Sequence, residues 1–589
     1  MQNAQIAAIF DRVADLLEFQ GANPFRLRAY RNAARTIGDL SEPVAAILAD
    51  ESRSLTDVAG IGDDLASKIS TLIETGTLPL LDDLLAKIPA SVLGMLRVPG
   101  LGPKKAAALY KQLQIESLDQ LREACEAGRV RELKGFGKKT EETILEGIDL
   151  AAHAEERIYW AEADELVQSL LAHFAKLDCI RQIEPAGSYR RGRETVGDLD
   201  FLVDSDAPGR VMDCLAEYSE TDRILARGET KMSIRLVGGL QVDLRVVPAD
   251  LFGAALQYFT GSKDHNVVLR GMAKQKGLKI NEWGVFRTAE GDDSYVAGAK
   301  EADVYAALEL PCFPPELREA RQEFQWAHEG NLPQLVEIAD IRGDLHMHTT
   351  ATDGKATLEE MVEAAIARRL QYIAITDHSK RVTMANGLDA RRLRAQWKEI
   401  DALRDQYGGF TILKGIECDI LESGGMDLPD DVLAEADWVV ASVHYGQNQS
   451  ESQITDRILG ALENPSVSAI AHPTGRLINR RKPYAVDLEQ VLAAAARFGK
   501  LMELNANPAR LDLDDVACAA AKRHRVPIVI STDAHSTRGL DVMRYGILQA
   551  RRAGLTKADV ANTRDWQELR GLIGKRPAYP TQELAGPTM

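Results

Sequence analysis

The C-terminal half of the chain repeats one pattern of apolar and polar positions. Short unbroken runs of Val, Ile, Ala and Leu alternate with longer stretches whose apolar residues recur every three or four positions, as from Thr357 to Arg369 and from Leu488 to Phe498. Unbroken runs suit parallel strands buried on both faces, and the slower recurrence suits helices with one buried stripe. Their alternation predicts a barrel or a doubly wound sheet. Seven of the runs end in side chains able to bind metal. They finish in turn with His346 and His348 followed by Asp353, Asp377 and His378, Glu417, His444, His472, Glu503 and Asn505, and Asp533 with His535. Six of the eleven histidines therefore stand at strand ends. A lone histidine is more often a satisfied core residue, but six at equivalent positions, interleaved with carboxylates, predict a cluster at the carboxyl rim of a barrel.

Imidazole and carboxylate without thiolate suit Zn2+, Mn2+ or Fe2+ rather than a closed cysteine site. Cys125, Cys179, Cys214, Cys312, Cys418 and Cys518 form no CxxC pair, and no apolar run has membrane-spanning length. A reducing, cytoplasmic setting without a membrane partner is the expectation. Cys418 adjoins Glu417 and is expected to point to the opposite face of its strand.

The N-terminal half carries separate chemistry. In DLDFLVD the alternation places Asp198 and Asp200 on one face of a strand, and Asp243 lies in a second alternating segment, LQVDLRVV, suited to pair beside it. Neighbouring carboxylates repel unless a cation neutralises them, and three on adjacent strands suit two Mg2+ ions and in-line phosphoryl transfer. The preceding Gly187 and Ser188 offer backbone N–H groups to phosphate oxygens. Farther upstream, three segments read helix, Gly-x-Gly turn, helix, centred on Gly60 and Gly62, Gly100 and Gly102, and Gly135 and Gly137, with Lys104, Lys105, Lys138 and Lys139 beside the last two.

These residues carry resemblances. From Ile341 to Ala578 the chain resembles the PHP (polymerase and histidinol phosphatase) domain, with all nine ligand positions of its pattern filled. The resemblance implies a distorted (β/α)7 barrel with three divalent metals (Mn2+, Zn2+ or Fe2+). One would be held by His346, His348, Glu417 and Asp533, a second by Glu417, His444 and His472, and a third by Asp353, His378 and His535. Phosphoester hydrolysis is the implied chemistry, and Arg510 and Lys482 lie on loops near the implied substrate phosphate.

GSYRRGRETVGDLD, YFTGSKDHNVVLR and INEWGVFR resemble the palm and thumb of a family X DNA polymerase of the polymerase beta type. By that resemblance Asp198, Asp200 and Asp243 bind Mg2+ or Mn2+, and Asp243 accepts the primer hydroxyl proton. Ser188, Arg191 and Gly197 hold the incoming deoxynucleoside triphosphate. Tyr258 and Phe259 lie under its sugar, Gly261 also binds the nucleotide, Asn266 and Arg270 line the nascent base pair, and Glu282 helps position the closing subdomain. Lys263 stands where the mammalian polymerase has an acidic residue. The glycine turns resemble helix-hairpin-helix motifs, which grip DNA phosphates through backbone N–H groups. Lys68 matches a lysine that forms a Schiff base with an abasic sugar in eukaryotic relatives, and Tyr30 matches a neighbour. Phe25 and Asp64, however, replace two phosphate-binding residues and only Arg26 keeps the charge, which favours Lys68 as a DNA-contacting or solvated lysine over lyase chemistry.

The formal net charge of −17 is unusual for a DNA binder. The metal ligands and barrel surface supply much of the acid, while RLRAYRNAAR and YRRGR provide local positive charge, so DNA binding should weaken with salt. The expected fold is multidomain, with an all-α helix-hairpin-helix region, an α+β nucleotidyltransferase palm and a PHP barrel. The expected divisions are a helical domain over 1–80, fingers over 81–150, palm over 151–250, thumb over 251–318, linker over 319–340, barrel over 341–578 and an irregular tail over 579–589. Together they imply a monomeric polymerase for gapped or primer-template DNA, joined to a phosphoesterase acting as 3′→5′ exonuclease, 3′-phosphatase or abasic-site endonuclease. A small-molecule phosphatase or a scaffold is the alternative for the barrel.

Overall fold

The structure is a computed structural model that describes residues 3–574 apart from 41–43, 51–52, 59, 89–91, 93–94, 96–97, 99–100, 102, 154–156, 290–291 and 480. The expected tail over 579–589 lies outside the described residues. The chain divides into two compact units, Met1–Arg157 with Arg235–Leu240, and Ile158–Ile234 with Gln241–Met589.

The first unit is helical, and local signals start its helices. Pro24 opens Pro24–Asp39 after Asn23, whose side chain accepts from the Phe25 amide at 2.9 Å, and Ser117 caps Leu118–Glu126 by accepting from Gln120 N at 3.2 Å. One apolar cluster, with Ile6, Phe10, Leu17, Leu72, Leu109 and Ile144 among its members, spans both segments read from sequence as separate domains.

The palm is a five-stranded sheet in the order Ile180–Pro185, Asp198–Ser205, Gln241–Val247, Lys231–Leu236, Thr221–Arg227. Asp198–Ser205 and Gln241–Val247 run parallel. The thumb follows as Phe252–Thr260, Lys263–Gln275, a three-stranded antiparallel sheet over Leu278–Ala297 and Glu301–Ala306. Its core, around Tyr305 and Phe313, takes in Phe324 from the segment expected to be a linker. Buried His265 bonds Glu323 at 2.9 Å and the Tyr305 hydroxyl at 3.0 Å, so residues 319–329 are packed against the thumb.

The barrel has seven parallel strands in sequence order: Gly343–Asp344, Tyr372–Ile375, Thr411–Asp419, Trp438–Ser442, Ala469–Ile470, Leu501–Asn505 and Ile528–Ser531. Two apolar layers explain their unbroken runs. Leu413, Val440, Ala469, Leu501 and Val529 cluster together, while their neighbours Ile412, Val439, Ile470, Met502 and Ile528 pack with the surrounding helices. The first and last strands meet through a parallel bridge between Met347 and Ala534, where His348 N donates to Ala534 O at 2.8 Å. Asn562 joins the same strands elsewhere, donating to Gly343 O and Ile530 O at 2.8 Å each and accepting from Ile530 N at 3.1 Å.

Candidate active sites

Parallel pairing of the two palm strands sets Asp200 directly opposite Asp243, with Asp198 on the same face one pleat away. Asp243 accepts hydrogen bonds from the Ser233 hydroxyl and from Gln241 Nε2, the latter at 2.7 Å. Burial and the adjacent Asp198 and Asp243 push the Asp200 carboxyl up to about 7, against the pull of Arg245 and Arg191. Three acids crowded in this way call for a cation. The Gly187–Arg190 turn lies beside them. Gly187 has φ +62°, and a Cβ there would come 2.5 Å from Asp200 Oδ2. Ser188 Oγ is buried with no hydrogen-bond partner among the described residues, as expected of a hydroxyl that awaits a ligand acceptor. Arg191 Nε instead meets Glu319 at 3.1 Å, and its Nη1 donates to Thr260 O at 2.5 Å.

Tyr258 and Phe259 end the Phe252–Thr260 helix with rings 5.1 Å apart, and the Arg245 guanidinium lies 4.4 Å over the Phe259 ring. Gly261 follows with φ +70°, where a Cβ would stand 3.3 Å from Arg191 Nη1. Asn266 is turned into that helix, accepting from Gln257 Nε2 at 2.7 Å and donating to Tyr258 O at 2.8 Å, and Arg270 Nε donates to Asn266 O at 3.1 Å. Gly197 is exposed before the Asp198–Ser205 strand, and Glu282 occupies the turn between Leu278–Asn281 and Gly284–Ala289.

At the barrel rim, Glu417 lies among imidazoles. His472 Nε2 is 3.0 Å and His444 Nε2 3.4 Å from its Oε1, while His346 Nε2 at 3.5 Å and His378 Nδ1 at 2.7 Å face Oε2. Asp533 Oδ1 is 3.1 Å from His348 Nε2 and 3.7 Å from His346 Nε2. Asp353 Oδ2 is 3.4 Å from both His378 Nε2 and His535 Nε2. The nine residues read from sequence therefore converge, and His348 also falls in the group of Asp353, His378 and His535. His346 Nε2, His348 Nδ1, His378 Nδ1 and Glu417 Oε2 are buried without hydrogen bonds among the described residues. Burial alone would raise the Glu417 carboxyl, but His444, His378 and His346 hold it far below the usual range. Burial likewise opposes charging of His346, yet Glu503, Asp533 and Glu417 drive it well upward. Buried anions and unsatisfied ring nitrogens facing one centre fit divalent cations. His472 and Asp533 hold left-handed backbone conformations, φ +29° and +53°, a strain that clusters at functional sites.

The strand-end pattern did not separate ligands from their supports. Glu503 accepts from His346 Nδ1 at 2.7 Å and from His472 N at 2.7 Å, which fixes the ring whose Nε2 faces Glu417. Asp377 accepts from Thr349 N at 2.9 Å and so holds the turn leading to Asp353. Asp419 accepts from His444 N at 2.9 Å, and Asp344 accepts from Thr532 N at 3.2 Å; sequence reading missed both. Their signal was position, because each lies two residues from a candidate ligand on a strand. Arg510 Nε stands 3.5 Å from Asp533 Oδ2, Lys482 is exposed, and Cys418 is buried in the outer layer.

In the helical unit, Gly60 and Gly135 turn with φ +90° and +94°, and Gly62 begins the Asp63–Thr75 helix without a side-chain cap. Gly137 precedes Lys138–His153, whose exposed Lys138 is 3.9 Å from Glu142. Gly100, Gly102 and the Lys104 side chain lie outside the described residues. Lys68 is paired with Asp64, Tyr30 is buried, and Phe25 is exposed.

Models of known families match in chain order: a helix-hairpin-helix domain over 1–78, a SAM-like helix-hairpin-helix tandem over 92–149, the DNA polymerase beta palm over 157–226, the DNA polymerase beta thumb over 255–319 and the PHP domain over 344–507. A DNA polymerase/3′-5′ exonuclease PolX of Bacillus subtilis is 40% identical over 581 residues, covering 97% of this chain and 99% of its own. The chain belongs to the PolX family. Its two halves also have separate relatives. A probable phosphatase of Thermoanaerobacter is 29% identical over 37% of this chain and 89% of its own length. DNA polymerase lambda of Rattus norvegicus is 26% identical over 54% of this chain and 56% of its own. None of the described helices is long and apolar enough to cross a membrane.

Proposed function

We propose that this PolX-family chain is a DNA-directed DNA polymerase that fills short gaps during repair, and that its barrel removes nucleotides from 3′ ends. The observation that carries the reading is the Asp198, Asp200 and Asp243 face beside the orphaned Ser188 hydroxyl, in a chain that aligns almost end to end with an enzyme named for both activities. Divalent cations, Mg2+ or Mn2+ at the palm and Mn2+, Zn2+ or Fe2+ at the barrel, supply stabilisation of charge on phosphoryl oxygens when bound. The chain supplies the rest. Asp243 accepts the primer hydroxyl proton, Ser188 and Arg191 hold the triphosphate with Gly197, Tyr258 and Phe259 support the sugar, and Gly261 lies against the nucleotide. Asn266 and Arg270 border the nascent pair. At the barrel, Glu503 and Asp419 fix the rings of His346 and His444 so that a 3′-terminal phosphodiester meets an ordered set of donors. The helical unit grips DNA through the hairpins at Gly60, Gly62, Gly135 and Gly137, and the chain acts as a monomer in the DNA-containing cytoplasm.

The test uses a labelled, gapped duplex with Mg2+ or Mn2+. Asp198→Ala/Asp200→Ala should lose extension and keep 3′ degradation, and His346→Ala/His348→Ala should do the reverse. Normal degradation by the histidine variant, combined with loss of histidinol phosphate hydrolysis, would make the barrel a small-molecule phosphatase instead.

A further inference from the structure

The turn that carries Ser188 and Arg191 is held by the barrel as well as by the palm. Arg552, at the end of the barrel helix Met543–Arg552, is almost fully buried. Its Nη1 donates to the Arg191 carbonyl at 2.8 Å and to Glu319 Oε1 at 2.9 Å, while its Nη2 pairs with Asp515 at 2.8 Å. One turn earlier on that helix, Gln549 Nε2 donates to Gly192 O at 3.0 Å. Glu319 Oε1 is the same atom that Arg191 Nε meets at 3.1 Å. A single half-buried carboxylate oxygen therefore faces Arg191 of the nucleotide turn, Arg193 just after it at 3.9 Å, and an arginine of the barrel. Burial would raise the Glu319 carboxyl, but Arg552, Arg191 and further arginines hold it down to about 2, so it is ionised whenever the enzyme works.

We propose that Arg552 is a positioning residue of the polymerase site. Its guanidinium shares the Glu319 carboxylate with Arg191 and anchors the backbone of Arg191, which sets the place from which the Arg191 side chain, held by Glu319 and Thr260 O, exchanges those partners for a triphosphate. Without Arg552, Glu319 is left to Arg191 and, at 3.9 Å, Arg193, so its hold on Arg191 tightens, and the turn loses a donor at its carbonyl. The inference rests on the polymerase reading and on Arg191 as a triphosphate contact. It assigns the barrel a part in nucleotide binding that does not use its metal-binding rim.

The experiment measures single-nucleotide gap filling and 3′ degradation on the full chain. Arg552→Met should raise KM for the deoxynucleoside triphosphate about tenfold, with kcat within about twofold and 3′ degradation unchanged. Adding Glu319→Gln removes the competing carboxylate and should bring KM back to within about threefold of the parent. Retained degradation with an unchanged KM in Arg552→Met, or a double variant no better than the single, would overturn the proposal. If Arg552→Met fails to fold, Gln549→Ala removes only the anchor at Gly192. It should raise KM about threefold, and an unchanged KM there would equally overturn it. Loss of extension by the unsubstituted chain itself would instead refute the polymerase reading.

Discussion

Gly187 shows how little room the palm site leaves. Its backbone is left-handed, and the space a methyl group would need is already filled by the Asp200 carboxylate. Gly187→Ala should therefore displace Asp200 and lower primer extension about a hundredfold while 3′ degradation and circular dichroism stay unchanged. Comparable extension by the alanine variant would show that the turn tolerates a shift. The palm aspartates and the rim histidines could be read from residue type and strand parity. The work of Glu503, Asp419 and Asp344 could not, because ligand and support share the same strand faces and differ in depth and in what they meet, a ring nitrogen for Glu503 and backbone N–H groups for Asp419 and Asp344.

At the scale of elements, apolar runs located the barrel strands well because both strand faces are buried there. Closure of the barrel was not legible. Besides the bridge between Met347 and Ala534, it uses Asn562, which lies beyond the last strand and joins the first and last strands through three buried hydrogen bonds. Asn562→Ala leaves those backbone groups unsatisfied and should destabilise the barrel by about 2–4 kcal/mol, seen as a lower urea midpoint for loss of 3′ degradation. The stretch after the thumb reads in sequence as a linker, from its prolines and polar helix. Arg318 and Glu323 are buried there and Glu319 is half-buried, because each meets an opposite charge or a histidine from another element. A single sequence does not reveal such partners.

The ion pairs that join palm, thumb and barrel contribute to the acid limit of the second unit. Glu301 is held down to about 2, since Arg190 and Arg318 outweigh its burial, and Glu319 is held equally low by its arginines. Both carboxyls are lowered from about 4.5, so the stability they contribute is complete above pH 4.5 and is lost as pH falls from there toward 2. The contribution of these two pairs to the urea midpoint should be constant above pH 4.5 and fall below it. Glu301→Gln should be less stable at neutral pH but show a shallower acid slope; an unchanged slope would mean the pair carries no linkage.

The helix Met543–Arg552 lends its donors to a turn of the neighbouring domain. That loan bears on how the protein can be taken apart. A free-standing phosphatase barrel grafted in its place would bring its own rim chemistry, but without an arginine and a glutamine at these two positions it would leave the carbonyls of Arg191 and Gly192 bare. These two side chains stand among others on the seam, and a chimera that restores them should show a lower KM for the deoxynucleoside triphosphate than one that lacks them.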